Sequence, residues 1–433
     1  VSEFFEIAYA AASKRLCLFT GTGFSKAVSA NTAPSWQELL INVCSLTANP
    51  ATLIQALFPL VGNNPLSLEE AAQVISLELA KIGRNIHVEI ANQINRLALA
   101  GNNSVIGSFL SNNTVEVVTT NYDVLLEQLC GPDYHSLTPG LPIPRSDARV
   151  RVYHVHGSVG SPKNMVVTSE DYFRFINGES YFSRKLSTVL HENTVVILGY
   201  SLGDTNLKAI INEYKGFSKS HVIGSNIFLV SRSTVSQYVK DYYHHCYGIR
   251  VLDNLEIHDF FSMLNFQMPL AQACTAPSLH NIRQILFHGQ EYTAAYLQNE
   301  NSFYEIVSSF SAVGVSINNP DVVKCLGRII QTKTSLTSVS GAWDQYHQMA
   351  KWLIYLGSIL EIENTSIEST YLSAVQASMA QMSNGWTLGY SWDAYRYWFA
   401  KWNSVISTNR SMIKRHIHAN LNWQPAHNVV NQL

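Results

Sequence analysis

Cysteine is scarce in this chain, and so is net charge. The 433 residues hold six cysteines, Cys17, Cys44, Cys130, Cys246, Cys274 and Cys325, with no close pair among them. That spacing excludes a disulfide scaffold and a zinc knuckle, and it makes a reduced, cytoplasmic setting the expectation. Lys and Arg total 29 against 31 Asp and Glu, a formal charge of −2. Attachment to nucleic acid by bulk charge needs an excess of clustered cations, so direct nucleic-acid binding is not expected. No apolar run approaches the ~20 residues of a membrane span, and the run through Val195–Leu198 is far too short. The opening Val1-Ser2-Glu3-Phe4-Phe5 lacks a basic segment followed by an apolar one, so no secretory signal is expected. A Gly-Lys-Ser/Thr phosphate loop is also missing, which argues against ATP hydrolysis by this chain.

What is present is enough apolar surface to fold: 46% of the residues are apolar and only 14% charged, which excludes the disordered class. At ~150 residues per domain the length allows two or three domains. Residues 1–265 read as α/β. Buried-strand runs recur at Leu16–Thr20, Val115–Thr119, Val150–Val155, Val195–Leu198, Ile227–Val230 and Ile249–Leu252. Helical patterns lie between them, among them Trp36–Cys44, Asp204–Tyr214 and Thr234–Cys246. Strands alternating with helices predict a Rossmann-like parallel sheet covered on both faces. Leu66–Leu110 has helical periodicity and no strand-like run, so it reads as a helical insertion beside the sheet. Cys130–Arg145, rich in Pro and Gly, reads as an irregular surface loop. Near Asn265–Ser278 the pattern changes, and residues 279–433 read as an all-α domain with helices near Tyr304–Phe310, Val322–Ile330, Trp343–Leu360 and Tyr371–Met382.

Four strand ends carry polar, Gly-rich turns, and such ends line the crevice where open α/β sheets bind ligands. After the first strand comes Gly21-Thr22-Gly23-Phe24-Ser25, whose glycines let backbone N–H groups approach a diphosphate. As a dinucleotide fingerprint it is defective, because Lys26 stands where the third glycine belongs. A tight strand-to-helix turn explains it equally well. After the second strand comes Thr120-Asn121-Tyr122-Asp123, in which Asn121 suits a ribose hydroxyl or an ordered water and Asp123 reads better as a helix cap. After the third comes His156-Gly157, with His156 a candidate general base and His154 its competitor. After the next comes Gly199-Tyr200-Ser201-Leu202-Gly203-Asp204. Four such turns in one domain point to a nucleotide site.

The order Gly21-x-Gly23-Phe24-Ser25, Thr120-Asn121-x-Asp123, His156-Gly157, Gly199-x-Ser201 resembles the sirtuin catalytic core. The resemblance covers roughly residues 10–260. It implies that Gly21, Thr22, Gly23 and Ser25, with Phe24 in the same loop, hold the diphosphate and adjacent ribose of NAD. It places Asn121 and Asp123 around the nicotinamide ribose and makes His156 the catalytic histidine. Gly199 and Ser201, with Asp204 following, fall on the adenosine side. The departures matter as much. Sirtuin deacylases bear a zinc module after the His-Gly pair, and this chain has no cysteine between Cys130 and Cys246, so no zinc is expected. Thr120 replaces the usual Gln, and Pro34-Ser35-Trp36 stands in the loop where the family has Gly-Ile-Pro-x-Phe-Arg. With the acyl-lysine clamp gone, water is the natural acceptor. The variant pattern, with Ser169-Glu170-Asp171-Tyr172, is similar to the sirtuin-like NADases of bacterial anti-phage systems.

That resemblance implies an NAD+ glycohydrolase that yields ADP-ribose and nicotinamide, with Asn121 and His156 as catalytic residues. Its rivals are a non-catalytic sensor of NAD or ADP-ribose, and a protein ADP-ribosyltransferase or deacylase. An unregulated NADase would harm its host, so the helical part is expected to serve control through a homo-oligomer, a partner such as an ATPase, or a phage-derived trigger. Trp392, Tyr395, Phe399 and Trp402 are spaced along one helix face and read first as core, second as an interface. Arg410, Lys414, Arg415, His416 and His418 form the most basic cluster and read as a solvated helix end.

Overall fold

A computed structural model describes residues 2–143, 147–177, 188–189, 192–201, 227–288, 290–313, 315, 319–338 and 342–432. In it the apolar runs form one sheet of seven strands: β1 (Leu16–Thr20), β2 (Val115–Thr119), β3 (Tyr134–Leu137), β4 (Val150–His154), β5 (Thr194–Leu198), β6 (Ile227–Val230) and β7 (Ile249–Leu252). Their order is β3-β4-β2-β1-β5-β6-β7, and each neighbouring pair is parallel. β1 and β5 are buried along their whole length, because a strand covered on both faces has no solvent side. Thr20 is in register with Thr119 and Leu198, and Thr119 with His154, so the strand ends that carry the turns are level. β2 lies on one flank of β1 and β5 on the other. The crevice therefore opens where the winding of the sheet reverses.

The sheet corrects one expectation. Cys130–Arg145 is not wholly irregular, since it supplies the edge strand β3. Only Leu137 of that strand is buried, so Tyr134-His135-Ser136 offered no apolar run to read. The helix expected at Asp204–Tyr214 lies outside the described residues.

The helices before the second half are α1 (Ser2–Ala12), α2 (Thr22–Val28), α3 (Trp36–Cys44), α4 (Pro50–Leu57), α5 (Leu68–Ala80), α6 (Ile86–Ile94), α7 (Ser104–Asn112), α8 (Leu125–Leu129), α9 (Ser169–Asn177), α10 (Gln237–Tyr247) and α11 (Ile257–His288). Side chains alternate across the strands. Leu16, Leu18, Val117, Val152, Val196 and Phe228 face a core shared with α1, α7 and α11, while Cys17, Phe19, Val118, Val195, Ile197 and Leu229 face Tyr243 and Tyr247 of α10. Between β1 and β2 the described elements are helical and fall into two groups. α3 to α6 build a separate small core from Leu40, Val43, Leu57, Ile75, Leu79, Ile90 and Ile94. α7 belongs instead to the sheet, through Ile106, Phe109 and Leu110. Capping boxes at Ser35/Glu38 and Ser67/Glu70 start α3 and α5.

The change of pattern at Asn265–Ser278 falls inside α11, a helix of 32 residues that carries Pro269 and Pro277. Beyond it the described elements are helical: α12 (Ala294–Leu297), α13 (Ser302–Ala312), α14 (Pro320–Leu336), α15 (Trp343–Ile359), α16 (Glu368–Ala380), α17 (Trp392–Lys401), α18 (Ser407–Asn420) and α19 (Gln424–Val430), with a 3-10 turn at Trp402–Ser404. The sheet and these helices share one continuous core, in which α1 packs along α11 and both meet α13. A buried ion pair spans the same junction. Arg250 of β7 bonds Glu6 of α1, and Glu6 also accepts the Tyr355 hydroxyl of α15 at 3.0 Å. The aromatic stripe is divided, for Trp402 is buried and Trp392 half-buried, while Phe399 is 45% exposed and stacked on Tyr395. The basic cluster is largely paired, Arg410 with Asp241 and Arg415 with Glu363, each at 2.6 Å. Among the described residues no helix is long and apolar enough to cross a membrane.

Candidate active site

The β1 and β5 turns touch backbone to backbone. The Gly21 N–H donates to the Leu198 carbonyl and the Gly23 N–H to the Gly199 carbonyl, both at 2.9 Å. A Cβ on Gly23 would lie 2.8 Å from Gly199 Cα, and one on Gly199 would lie 2.1 Å from the Phe24 nitrogen. Gly199 also has φ +76°, a conformation that favours glycine. These glycines thus answer a packing need, and the amides offered to a diphosphate are engaged with β5. The Tyr200 ring covers Gly21, where a Cβ would come within 2.6 Å of it, and the Tyr200 hydroxyl meets Thr120 Oγ1 at 2.5 Å. Thr22 is half-buried at the start of α2, the Phe24 side chain is buried in the main core, and Ser201 is exposed. Asp204 lies outside the described residues.

The ends of β1 and β2 are joined by a chain of side-chain bonds. Asn121 Nδ2 donates to the Gly21 carbonyl and to Ser25 Oγ, both at 2.8 Å. Ser25 Oγ donates to Asp123 Oδ2 at 2.7 Å, and Asp123 Oδ1 accepts from the Leu125 N–H at 3.1 Å. Burial pushes the Asp123 carboxyl up, against the pull of those two bonds. Both oxygens of Asp123 therefore serve the protein itself, one of them at the start of α8. Both amide hydrogens of Asn121 are engaged too. What Asn121 offers a ligand is its side-chain amide oxygen Oδ1, which has no partner among the described residues. At the end of β1, Thr20 Oγ1 is buried without a hydrogen-bond partner among the described residues.

The two histidines have opposite surroundings. His154 is fully buried, with Nδ1 on the backbone carbonyl of Asn121 at 3.0 Å and Nε2 on Glu127 Oε1 at 2.7 Å. Burial alone would push its pKa down, but the Glu127 carboxylate outweighs this and raises it, while Glu127 itself is held low by His154. His154 is thus a satisfied structural group. His156, two residues beyond, is 5% exposed and has no side-chain hydrogen bond among the described residues. Its ring sits edge-on against Tyr172 and Phe175 of α9, with centroids 5.3 and 5.2 Å away. Burial lowers its pKa to about 4, so it is neutral near pH 7. Gly157 has φ +85°, and a Cβ there would strike Met165 Cα at 2.8 Å, which explains the glycine after the histidine.

Sequence reasoning missed the surroundings of His156. α9 opens on a reciprocal cap in which the Thr168 N–H donates to Asp171 Oδ2 at 3.0 Å and the Asp171 N–H to Thr168 Oγ1 at 3.3 Å. His87 of the insertion reaches the same Asp171 oxygen at 2.8 Å. The Thr168-x-x-Asp171 spacing was the available signal, followed by aromatics at i and i+3. Among the described residues no group of His, Cys, Asp and Glu is placed to hold a metal ion.

Comparison with known proteins finds the same family that the motifs resemble. Residues 115–252, from the start of β2 to the end of β7, match the SIR2-like domain. The first glycine loop lies before that stretch and is tied to it by the Asn121 and Ser25 bonds. The chain is 23% identical over 163 residues to Defense-associated sirtuin 2 of Bacillus subtilis, which covers 36% of this chain and 16% of that relative. The chain thus spans well under a quarter of the relative's length. Over residues 115–252 the chain is thus similar to the SIR2-like domain, and in part to a defence-associated sirtuin.

Proposed function

We propose that this chain is an NAD+ glycohydrolase that cleaves NAD to ADP-ribose and nicotinamide, and that it acts by NAD depletion in anti-phage defence. The observation that carries the reading is His156, a neutral and nearly buried imidazole without a hydrogen-bond partner among the described residues, at the strand end next to Asn121. The Asn121 side-chain amide oxygen, unpartnered among the described residues, fits a polar ligand on that edge of the sheet. The defence setting rests on the name of the relative.

The chemistry follows from those groups. Breaking the C1′–N bond releases nicotinamide as a neutral leaving group and leaves positive charge on the ribose, as in glycoside hydrolysis. The Asn121 side-chain amide oxygen orients a ribose hydroxyl or the attacking water. Neutral His156 accepts the proton that the water loses as its oxygen bonds to C1′. The apolar walls of the site exclude other water and hold the reacting geometry. The helical part, with self-association or a partner, is proposed to restrain this activity until infection.

The test is NAD consumption by the purified chain, with products identified by mass spectrometry, for wild type beside His156→Ala and Asn121→Ala. A missing general base removes about 10²–10⁴-fold of rate. ADP-ribose and nicotinamide from wild type alone support the reading. Full activity in both folded variants would overturn the residue assignment, and failure of wild type to bind NAD would overturn the function.

A further inference from the structure

The imidazole of His156 is closed in by α9, and this decides what can reach it. Tyr172 and Phe175 lie three residues apart on one face of that helix, while Phe173, between them, is 67% exposed on another. The two rings stand at 75° and 85° to the imidazole, so each presents an edge contact to it, and His156 keeps 5% of its surface. A base walled this closely by two rings favours the smallest nucleophile, water, over a larger alcohol or a side chain. The start of α9 is fixed from outside the sheet. Asp171 Oδ2 accepts from the Val167 N–H, the Thr168 N–H, the Thr168 hydroxyl and His87 Nε2 at 3.2, 3.0, 2.9 and 2.8 Å. His87 belongs to α6, so the insertion holds the helix that holds the rings.

We propose that Tyr172 and Phe175 are specificity-determining residues that limit the acceptor at His156 to water, and that His87 and Asp171 are positioning residues for them. The inference rests on His156 being the base of the reaction above. In that step the C1′–N bond breaks with its electron pair leaving on nicotinamide. An oxygen of the acceptor bonds to C1′, and the acceptor proton passes to His156. A small alcohol can take the place of water with the same balance, and yields the alkyl ADP-ribose. Widening the wall should favour it.

The full chain is incubated with NAD in aqueous methanol, and methyl ADP-ribose is measured against ADP-ribose for wild type, Phe175→Ala and Tyr172→Ala. Removing several methylene equivalents from an apolar wall changes discrimination by about 10-fold or more, so the methyl product should rise by that factor over wild type in the alanine variants. A return toward the wild-type ratio in Phe175→Leu supports the wall. An unchanged ratio in both alanine variants, with NAD still consumed, overturns the inference and leaves the NADase reading intact. A wild-type chain that does not bind NAD overturns both. A second measurement needs no turnover. In carbon-13-labelled protein, the His156 titration should move up from about 4 toward ~6.5 in Phe175→Ala, and part of the way in His87→Ala. An unmoved His156 in both variants overturns the positioning as well.

Discussion

Truncating Glu127 to alanine should destabilise the protein far more than the loss of an ordinary ion pair. The His154–Glu127 contact is 2.7 Å long, with side chains 0% and 6% exposed. At an effective dielectric of about 20, two charges at that distance attract by about 6 kcal/mol, part of which offsets the cost of burying them. Glu127→Ala strands the imidazole beneath the site and frees the Ser136 hydroxyl of β3, which bonds the same carboxylate oxygen at 2.8 Å. The expected cost is about 3–5 kcal/mol, the range for breaking a buried pair by removing one partner. It also depends on pH. His154 is raised, so its share of the stability is complete below its unfolded pKa of ~6.5 and fades as pH rises through the folded value. Glu127 is lowered, so its share is complete above ~4.5 and fades as pH falls through its folded value. The difference from wild type is therefore largest near pH 6. Denaturation midpoints followed by tryptophan fluorescence at pH 6 and at higher pH would measure it. Glu127→Leu combined with His154→Phe should recover most of the loss, since a packed apolar pair can replace a buried ionic one. A cost under ~1 kcal/mol for Glu127→Ala at pH 6, the value of an exposed pair, would refute the reasoning.

Two further outcomes are expected. Gly199→Ala places a Cβ 2.1 Å from the Phe24 nitrogen in a left-handed backbone, so it should destabilise by at least about 2–3 kcal/mol, read as lost soluble yield and a lowered urea midpoint; unchanged stability would contradict the contact of the β1 and β5 turns. Because burial lowers His156 to about 4, it stays neutral above that value, and the acid limb it gives to kcat/KM should lie near pH 4. A His156-dependent limb near pH 6.5, absent in His156→Gln, would show an imidazole open to solvent.

The central strands were legible because they are buried on both faces and show it as unbroken apolar runs, Leu16–Thr20 and Val195–Leu198 among them. β3 was not, because an edge strand with one buried residue carries no such run. The glycine at 199 was legible as a turn, but its partner was not. That it must clear the Phe24 nitrogen is a contact between segments 175 positions apart, and only the register of β1 with β5 creates it. The two histidines differ by what folds over them. Glu127 and α9 come from elsewhere along the chain, so spacing alone left His154 and His156 equal. That α7 packs with the sheet and α11 was not legible either, since its period is helical in any setting.

The junction around α11 has a mechanical consequence. Phe4, Phe5, Phe260 and Phe261 are buried between the sheet and the helical half, and the Glu6–Arg250–Tyr355 contact bridges the same seam. Halves joined through a shared apolar seam cannot swing on a hinge without opening it to water, at ~25 cal/mol for each Å² exposed. A force applied to the outer helices is then transmitted to the sheet as strain. α1 lies directly against α11 and leads into β1, so that strain would arrive first at the strand that ends in the Gly21 turn.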